Sequence, residues 1–203
     1  MENSAKGHMY IIWAHPRHDS LTAKIVSEIR DEAEKRGQSV SELDLHRSGF
    51  NPVLEQDDEP DWNDPKKAYT DEVHRLFNDV QQADSIVVVF PVWWYSFPAI
   101  LKGYFDRVWN YGLAYGTGHR VNAKNIRWVP LVGGSEEKFV VQGREKNLSD
   151  FVNGMAFYAH IDHSDVEYIY NTIGVEEDIM ETAEHYQNMF NAARRMVGEL
   201  VSA

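Results

Sequence analysis

Residues 85–98 read SIVVVFPVWWYSFP, an apolar run followed at once by an aromatic loop that two prolines bound. Residues 86–91 have no polar side chain, which is typical of an inner strand in a parallel sheet that helices cover on both faces. Ligands of such sheets bind beyond the carboxyl ends of the strands. Because aromatic residues follow there, and Pro91 and Pro98 fix the backbone φ on either side, we predict a rigid apolar surface for a flat ligand. An aromatic core loop is the alternative interpretation.

The chain as a whole has 203 residues, no cysteine and a formal net charge of −12. Its length fits one domain with a sizeable core. The negative charge disfavours nonspecific binding to DNA or to an anionic membrane, so we expect no nucleic-acid partner. No apolar run approaches the roughly 18 residues that cross a bilayer, so we expect no direct membrane insertion. The absence of cysteine excludes thiolate catalysis and thiolate-held metals, and redox chemistry would therefore need a bound cofactor.

The N-terminus is polar and lacks the apolar core of a secretory signal, which indicates a cytoplasmic location. The sequence Gly7-His8-Met9 is typical of a cloning remnant before a native Met9. A tag or a disordered N-terminus are therefore our two interpretations of residues 1–8. We expect residues 9–203 to form a single domain.

Strand and helix patterns alternate along the chain. This alternation predicts an α/β fold with a doubly wound, five-stranded parallel sheet and helices on both faces. The loop after the first strand has no glycine fingerprint, which favours a flavodoxin-like strand order of 2-1-3-4-5 over a six-stranded dinucleotide-binding fold. The predicted strands are 10–14, 39–45, 86–91, 126–132 and 166–170, and the predicted helices are 21–33, 73–80, 97–108, 148–158 and 176–201.

In this strand order, the loops after strands one, three and four meet at one edge of the sheet. The first of these loops contains Ser20 and the start of a helix, whose N–H groups stabilise a phosphate without glycines. Helix capping alone explains Ser20 equally well. The last loop contains Gly133 and Gly134, which allow a ring to approach the backbone closely, although a plain turn also explains them. The three loops together suit a flavin nucleotide.

Several sequence motifs along the chain are similar to those of one protein family. They are residues 14–16 (AHP) with 20–22 (SLT), 50–52 (FNP), 90–91 (FP) with Trp94, 98–108 (PAILKGYFDRV), 114–115 (AY) and 133–134 (GG). In these motifs, which extend over nearly the whole length, the chain resembles the flavodoxin-like NAD(P)H quinone reductases. The resemblance implies a homodimer that transfers hydride from NAD(P)H to a bound flavin and then two electrons to a quinone, in a ping-pong reaction. It also implies FAD as the flavin, with FMN as the alternative.

The resemblance further implies roles for individual residues. The phosphates and the ribityl arm of the flavin would contact His15, Ser20, Leu21 and Thr22. The isoalloxazine ring would be held by Pro91, Val92, Trp93, Trp94 and Tyr95, with Leu131, Val132, Gly133 and Gly134 along its pyrimidine side. No metal is implied, and the histidines at 160 and 163 lack the supporting ligands of a metal site.

Two positions depart from the family pattern. Mammalian members have a tyrosine and a histidine that relay charge and a proton during flavin reduction, and this chain has Phe139 and Glu145 there. Phe139 has no proton to give, so the role is vacant or filled elsewhere. The catalytic candidates are Phe139, Glu145 and Tyr115, and the alternatives for the vacant role are Tyr95, Lys138, Tyr158 and backbone N–H groups near Gly133 and Gly134.

These departures leave a second function open, because close bacterial relatives of the family associate with potassium efflux systems. The chain would then be a flavin-bound ancillary or regulatory subunit with weak reductase activity. A cofactor-free signalling receiver of the same fold is disfavoured, since the first strand ends in His15-Pro16 instead of an acidic pair. Azo or nitro compounds are alternatives to quinones as electron acceptors.

Overall fold

A computed structural model describes residues 7–64, 66–116, 118–173 and 183–202. Five parallel strands form one sheet in the order β2-β1-β3-β4-β5, which confirms the predicted order and the flavodoxin-like α/β fold. The strands are β1 (His8–Trp13), β2 (Ser39–Asp44), β3 (Ser85–Pro91), β4 (Asn125–Leu131) and β5 (His163–Val166). The helices are α1 (Leu21–Lys35), α2 (Asp71–Gln81), α3 (Ala99–Val108), α4 (Glu136–Val141), α5 (Arg144–Tyr158) and α6 (Ala183–Leu200).

β3 lies at the centre of the sheet and is buried on both faces, as its apolar sequence predicts. Val87 and Val89 face the core that α1 and α6 cover, whereas Val88 and Phe90 face the core that α2, α3 and α5 cover. This alternation follows from the two-residue period of a strand. None of the helices in the described residues has the length and apolarity that a bilayer crossing requires.

Several element boundaries differ from the sequence predictions. α3 begins at Ala99 because Pro98 is its N-cap and residues 93–96 form a turn. The fifth strand is His163–Val166, earlier than predicted, because a polar edge strand has no apolar run to mark it. The predicted segment 166–170 continues beside β4 through hydrogen bonds from Glu167 N to Trp128 O and from Ile169 N to Pro130 O. α4 was not predicted, and residues 176–182 of the predicted last helix lie outside the described residues.

The polar segment 46–67 is attached to the core by a buried ion pair. Asp58 Oδ2 accepts a hydrogen bond from Arg107 Nη2 at 2.7 Å, and both side chains are almost completely buried. Thr70 N donates to Asp58 Oδ1 at 2.9 Å, and Glu72 contacts the other side of the guanidinium. Burial alone would raise the pKa of Asp58, but the hydrogen bonds from Thr70 and Arg107 outweigh it and lower the pKa below its ordinary value.

We predict that Asp58→Ala lowers the free energy of unfolding by about 3 kcal/mol at neutral pH, because it leaves a buried guanidinium with incomplete pairing. Urea unfolding measures the change. Asp106→Ala is the control, since Asp106 pairs with Lys102 on the surface and its loss should cost below about 1 kcal/mol. Because the pKa of Asp58 is lowered in the folded state, the gap between wild type and Asp58→Ala should shrink as the pH falls through that pKa. Equal losses in the two variants would contradict the prediction.

Candidate functional site

A tight turn projects the aromatic side chains from the carboxyl end of β3. Trp93 and Ser96 close it through two reciprocal main-chain hydrogen bonds of 3.1 Å. Between them, Trp94 and Tyr95 have φ angles of 51° and 63°, in the left-handed region that costs a non-glycine residue about 1–2 kcal/mol. The Trp94 side chain is 95% exposed. Backbone strain that holds large apolar rings in an exposed position is typical of a functional site.

The glycine loop follows β4 and lies beside this turn. Val92 N donates to Leu131 O at 2.9 Å, which joins the start of the aromatic loop to the end of β4. A Cβ atom added at Gly133 would lie 3.0 Å from Ile173 Cδ1, whereas one added at Gly134 would have no atom within 4 Å. The backbone at Gly134 is therefore open to a ligand.

The aromatic turn and the glycine loop border a cavity of about 410 Å³, which we call the ring cavity. A second cavity of about 240 Å³, which we call the arm cavity, shares Val92 and Gly133 with it. The ring cavity is otherwise lined by Trp94, Tyr95, Val132, Gly134, Ser135, Lys138, Phe139 and Gln142. The arm cavity is otherwise lined by His15, Arg17, Leu21, Thr22, Pro91, Trp93, Leu131, Thr172 and Ile173. The structure thus brings the three predicted loops together at one edge of the sheet.

The start of α1 forms one end of the arm cavity. Ser20 is the N-cap of this helix, and its Oγ accepts a hydrogen bond from Ala23 N at 3.2 Å. The Ser20 and Thr22 side chains are buried, and Arg17 adds a full positive charge to the cavity lining. The capping role that the sequence left open for Ser20 is therefore present, and it leaves the hydroxyl hydrogen as a donor.

His15 holds the first loop in shape through hydrogen bonds to its ring and to its carbonyl oxygen. Its Nδ1 accepts a hydrogen bond from Arg17 N at 3.1 Å, and Arg47 Nη2 donates to His15 O at 2.7 Å. Burial of the ring, followed by the nearby positive charges, lowers the pKa of His15 below its ordinary value. The lowered pKa favours the neutral imidazole.

Phe139 lines the ring cavity, and a hydrogen-bonded cluster stands behind it. The Phe139 ring contacts Tyr168 and Tyr170 at centroid distances of 5.9 and 6.0 Å. Tyr170 donates to Glu145 Oε2 at 2.5 Å, and Tyr168 donates to Glu145 O at 2.8 Å. Glu145 therefore lies outside both cavities and anchors the two tyrosines that support Phe139.

Sequence reasoning missed Tyr168 and Tyr170. They stand two residues apart in an extended segment, so their side chains point to the same face, and the rings stack at a centroid distance of 5.5 Å. The two-residue spacing of these tyrosines is the sequence signal that could have predicted their contact.

Tyr115 lies in a different place from the other two catalytic candidates. It lines a separate cavity of about 420 Å³ near α3 and α5, and its ring contacts Tyr158 at a centroid distance of 4.9 Å. Burial of the ring raises the pKa of the Tyr115 hydroxyl, and Tyr158 adds to the effect. Within one chain, neither tyrosine lines the ring cavity or the arm cavity.

Comparison with known proteins gives a consistent family assignment. The profile of the Flavodoxin_2 family, described as a flavodoxin-like fold, matches residues 8–190. The chain is 50% identical over 192 residues to the uncharacterized NAD(P)H oxidoreductase YcaK of Escherichia coli (strain K12), across 95% of this chain and 97% of that protein.

Two solved structures share the fold. One is the NAD(P)H:quinone oxidoreductase from Methanothermobacter marburgensis, with a TM-score of 0.87 and 24% identity over 97% of this chain and 98% of that chain. The other is an FMN-dependent NADH-azoreductase from Bacillus anthracis in complex with FMN, with a TM-score of 0.70 and 16% identity over 96% and 99% of the two chains. At these identities the two likenesses support the fold alone.

We predict that Glu145→Gln lowers the pKa of Tyr170. Burial raises this pKa above its ordinary value, and the hydrogen bond and negative charge of Glu145 raise it further. The measurement is an alkaline titration of tyrosinate by ultraviolet absorbance, and Tyr170→Phe in both backgrounds identifies the Tyr170 signal. A Tyr170 midpoint that stays in place after loss of the carboxylate would contradict the contact.

Proposed function

The chain belongs to the flavodoxin-like fold family, and from that membership we propose that it is a flavin-dependent NAD(P)H oxidoreductase that reduces quinones in the cytoplasm. The observation that carries the proposal is the ring cavity between the strained Trp94–Tyr95 turn and the Gly133–Gly134 loop. A bound flavin would supply the redox chemistry, taking hydride from NAD(P)H and passing two electrons to the acceptor.

The lining of the two adjoining cavities supports a flavin nucleotide as the ligand. Trp94 and Tyr95 offer aromatic surface to a flat ring, and Gly134 leaves the opposite backbone uncovered. The arm cavity ends at the start of α1, where main-chain N–H groups and Arg17 favour a phosphate. We propose FAD as the resident flavin and FMN as the alternative, held by the cofactor-binding residues that the sequence predicted.

The protein would orient the bound ring, exclude water from it and stabilise the negative charge that it gains. The strained turn fixes the backbone from which the two aromatic side chains project, so less backbone ordering is needed when a ligand enters. Phe139 forms a wall that excludes water, and the cluster behind it keeps that wall in place. Lys138 lies in the same lining, where its ammonium group would stabilise negative charge on a bound flavin ring. In the mammalian relatives, a tyrosine at the position of Phe139 helps to stabilise charge during flavin reduction. We therefore propose that Lys138 and backbone N–H groups near Gly134 stabilise this charge here.

We predict that Trp94→Ala weakens flavin binding by roughly tenfold, because stacking of a flat ring on an aromatic side chain contributes about 1–3 kcal/mol. Equilibrium dialysis of the flavin-free protein against FAD, and then against FMN, measures the change. Trp94→Phe is the matched control, since it retains an aromatic ring and should retain most of the affinity. Unchanged affinity in Trp94→Ala would contradict the ring cavity as the flavin site.

We also propose a homodimer. Phe157 and Tyr158, at the end of α5, are 82% and 60% exposed, and Tyr158 lines the cavity that contains Tyr115. Exposed apolar surface of this kind marks an interaction site. A dimer that buried it would place Tyr115 at the interface between subunits.

Phe157→Glu should shift the protein toward the monomer, because a carboxylate buried in an apolar interface is not solvated. Sedimentation velocity measures the shift: we expect twice the chain mass of 23.4 kDa for wild type and a value approaching one chain mass for the variant. Phe157→Leu keeps the apolar contact and should remain dimeric. A monomeric wild type would contradict the proposal.

A second candidate function is a flavin-bound ancillary subunit of a potassium efflux system. Phe139 in the ring cavity and Glu145 tied to Tyr170 favour it, since neither can pass a proton to the ring from these positions. This function would give weak turnover with quinones, azo compounds and nitro compounds alike, together with capture of a membrane transport protein. Rapid quinone turnover would exclude it.

A further inference from the structure

Arg144 begins α5, and its guanidinium lies over the ring of Tyr95 with Cζ 4.1 Å from the centroid. Its Nε atom is buried and has no hydrogen-bond partner. No carboxylate pairs with it in the described parts of the chain, in contrast to Arg107, which Asp58 and Glu72 neutralise. Within the described residues, Arg144 therefore carries a positive charge that no carboxylate balances.

The Arg144 guanidinium lies next to residues that line the ring cavity. Tyr95 and Gln142 belong to the cavity lining, and Gly143 turns the chain between α4 and α5 with a φ of 69°. Arg144 follows Gly143 directly, and its guanidinium packs on Tyr95, which lines the cavity. The start of α5, a helix of 15 residues, adds a partial positive charge at the same point.

A cation at this position would attract an anionic ligand, whereas the net negative charge of the protein repels one. The formal net charge is −12, whereas NADH carries a pyrophosphate and NADPH carries a further 2′-phosphate. A planar guanidinium binds phosphate oxygens in pairs, and one that is already ordered on an aromatic ring loses little freedom when it does so.

We propose that Arg144 binds a phosphate of the nicotinamide co-substrate. The inference rests on the proposed function and goes beyond it in one respect. Arg144 would make the enzyme prefer NADH or NADPH over a dihydronicotinamide riboside, which donates hydride but has no phosphate. If Arg144 only supported Tyr95, its loss would affect all hydride donors equally.

The test compares flavin-loaded wild type and Arg144→Gln with three hydride donors: NADPH, NADH and dihydronicotinamide riboside. We expect KM for the phosphate-bearing donors to rise about tenfold with little change in kcat, and the riboside kinetics to stay constant. A rise for NADPH alone assigns the 2′-phosphate as the ligand, and equal rises for NADPH and NADH assign the pyrophosphate. Arg144→Lys should restore part of the affinity.

Two further measurements separate a charge effect from a structural one. KM for the nucleotides should rise more steeply with ionic strength in wild type than in Arg144→Gln, because only the wild type has an Arg144–phosphate attraction for salt to screen. Lys146→Gln is the matched control, because it removes one positive charge from the same helix where Lys146 pairs with Asp150 on the surface. It should leave every KM unchanged.

Calorimetric titration of the flavin-loaded protein with ADP-ribose and with ADP-ribose 2′-phosphate tests binding without turnover. Weaker binding in Arg144→Gln supports the inference. Unchanged KM and binding, or equal losses for all three donors, would overturn it. A wild type that oxidises no donor would instead refute the proposed function, and the calorimetry would then decide the role of Arg144 separately.

Discussion

The left-handed backbone at Trp94 and Tyr95 is the constraint on which the site depends. Two non-glycine residues hold this conformation only because the structure on both sides is rigid. On one side, β3 is buried and Val92 is bonded to the end of β4. On the other, Phe97 packs in the core against Phe90 and Phe105 at centroid distances of 4.8 and 5.5 Å. The packed core on both sides thus maintains the strained backbone at Trp94 and Tyr95, from which their side chains project at the cavity.

Sheet topology explains why distant segments meet at this turn. The parallel order places the carboxyl ends of β1, β3 and β4 next to one another, so three loops that are far apart in sequence share one edge. The start of α1 then supplies a positive end for phosphate, and the glycine loop supplies open backbone. The same edge carries Arg144, whose guanidinium packs on the Tyr95 ring.

The strand order and the three loops could be predicted because their signals are local. An unbroken apolar run marks β3, and a four-residue apolar period marks α1. β5 and α4 could not be placed, since one is a short polar edge strand and the other is a helix of six residues. The contacts of Glu145 with Tyr170, and of Arg144 with Tyr95, join residues 25 or more positions apart, and a single sequence carries no sign of such pairs. The roles of the predicted site residues in binding flavin stay predictions.

The most direct test of the flavin site is the visible spectrum of the purified protein, recorded without oxygen before and after addition of NADH or NADPH and then of a quinone. The account predicts flavin absorbance that bleaches with nucleotide and returns with quinone, and chromatography of the released cofactor identifies FAD or FMN. A colourless protein that rebinds neither flavin would contradict it.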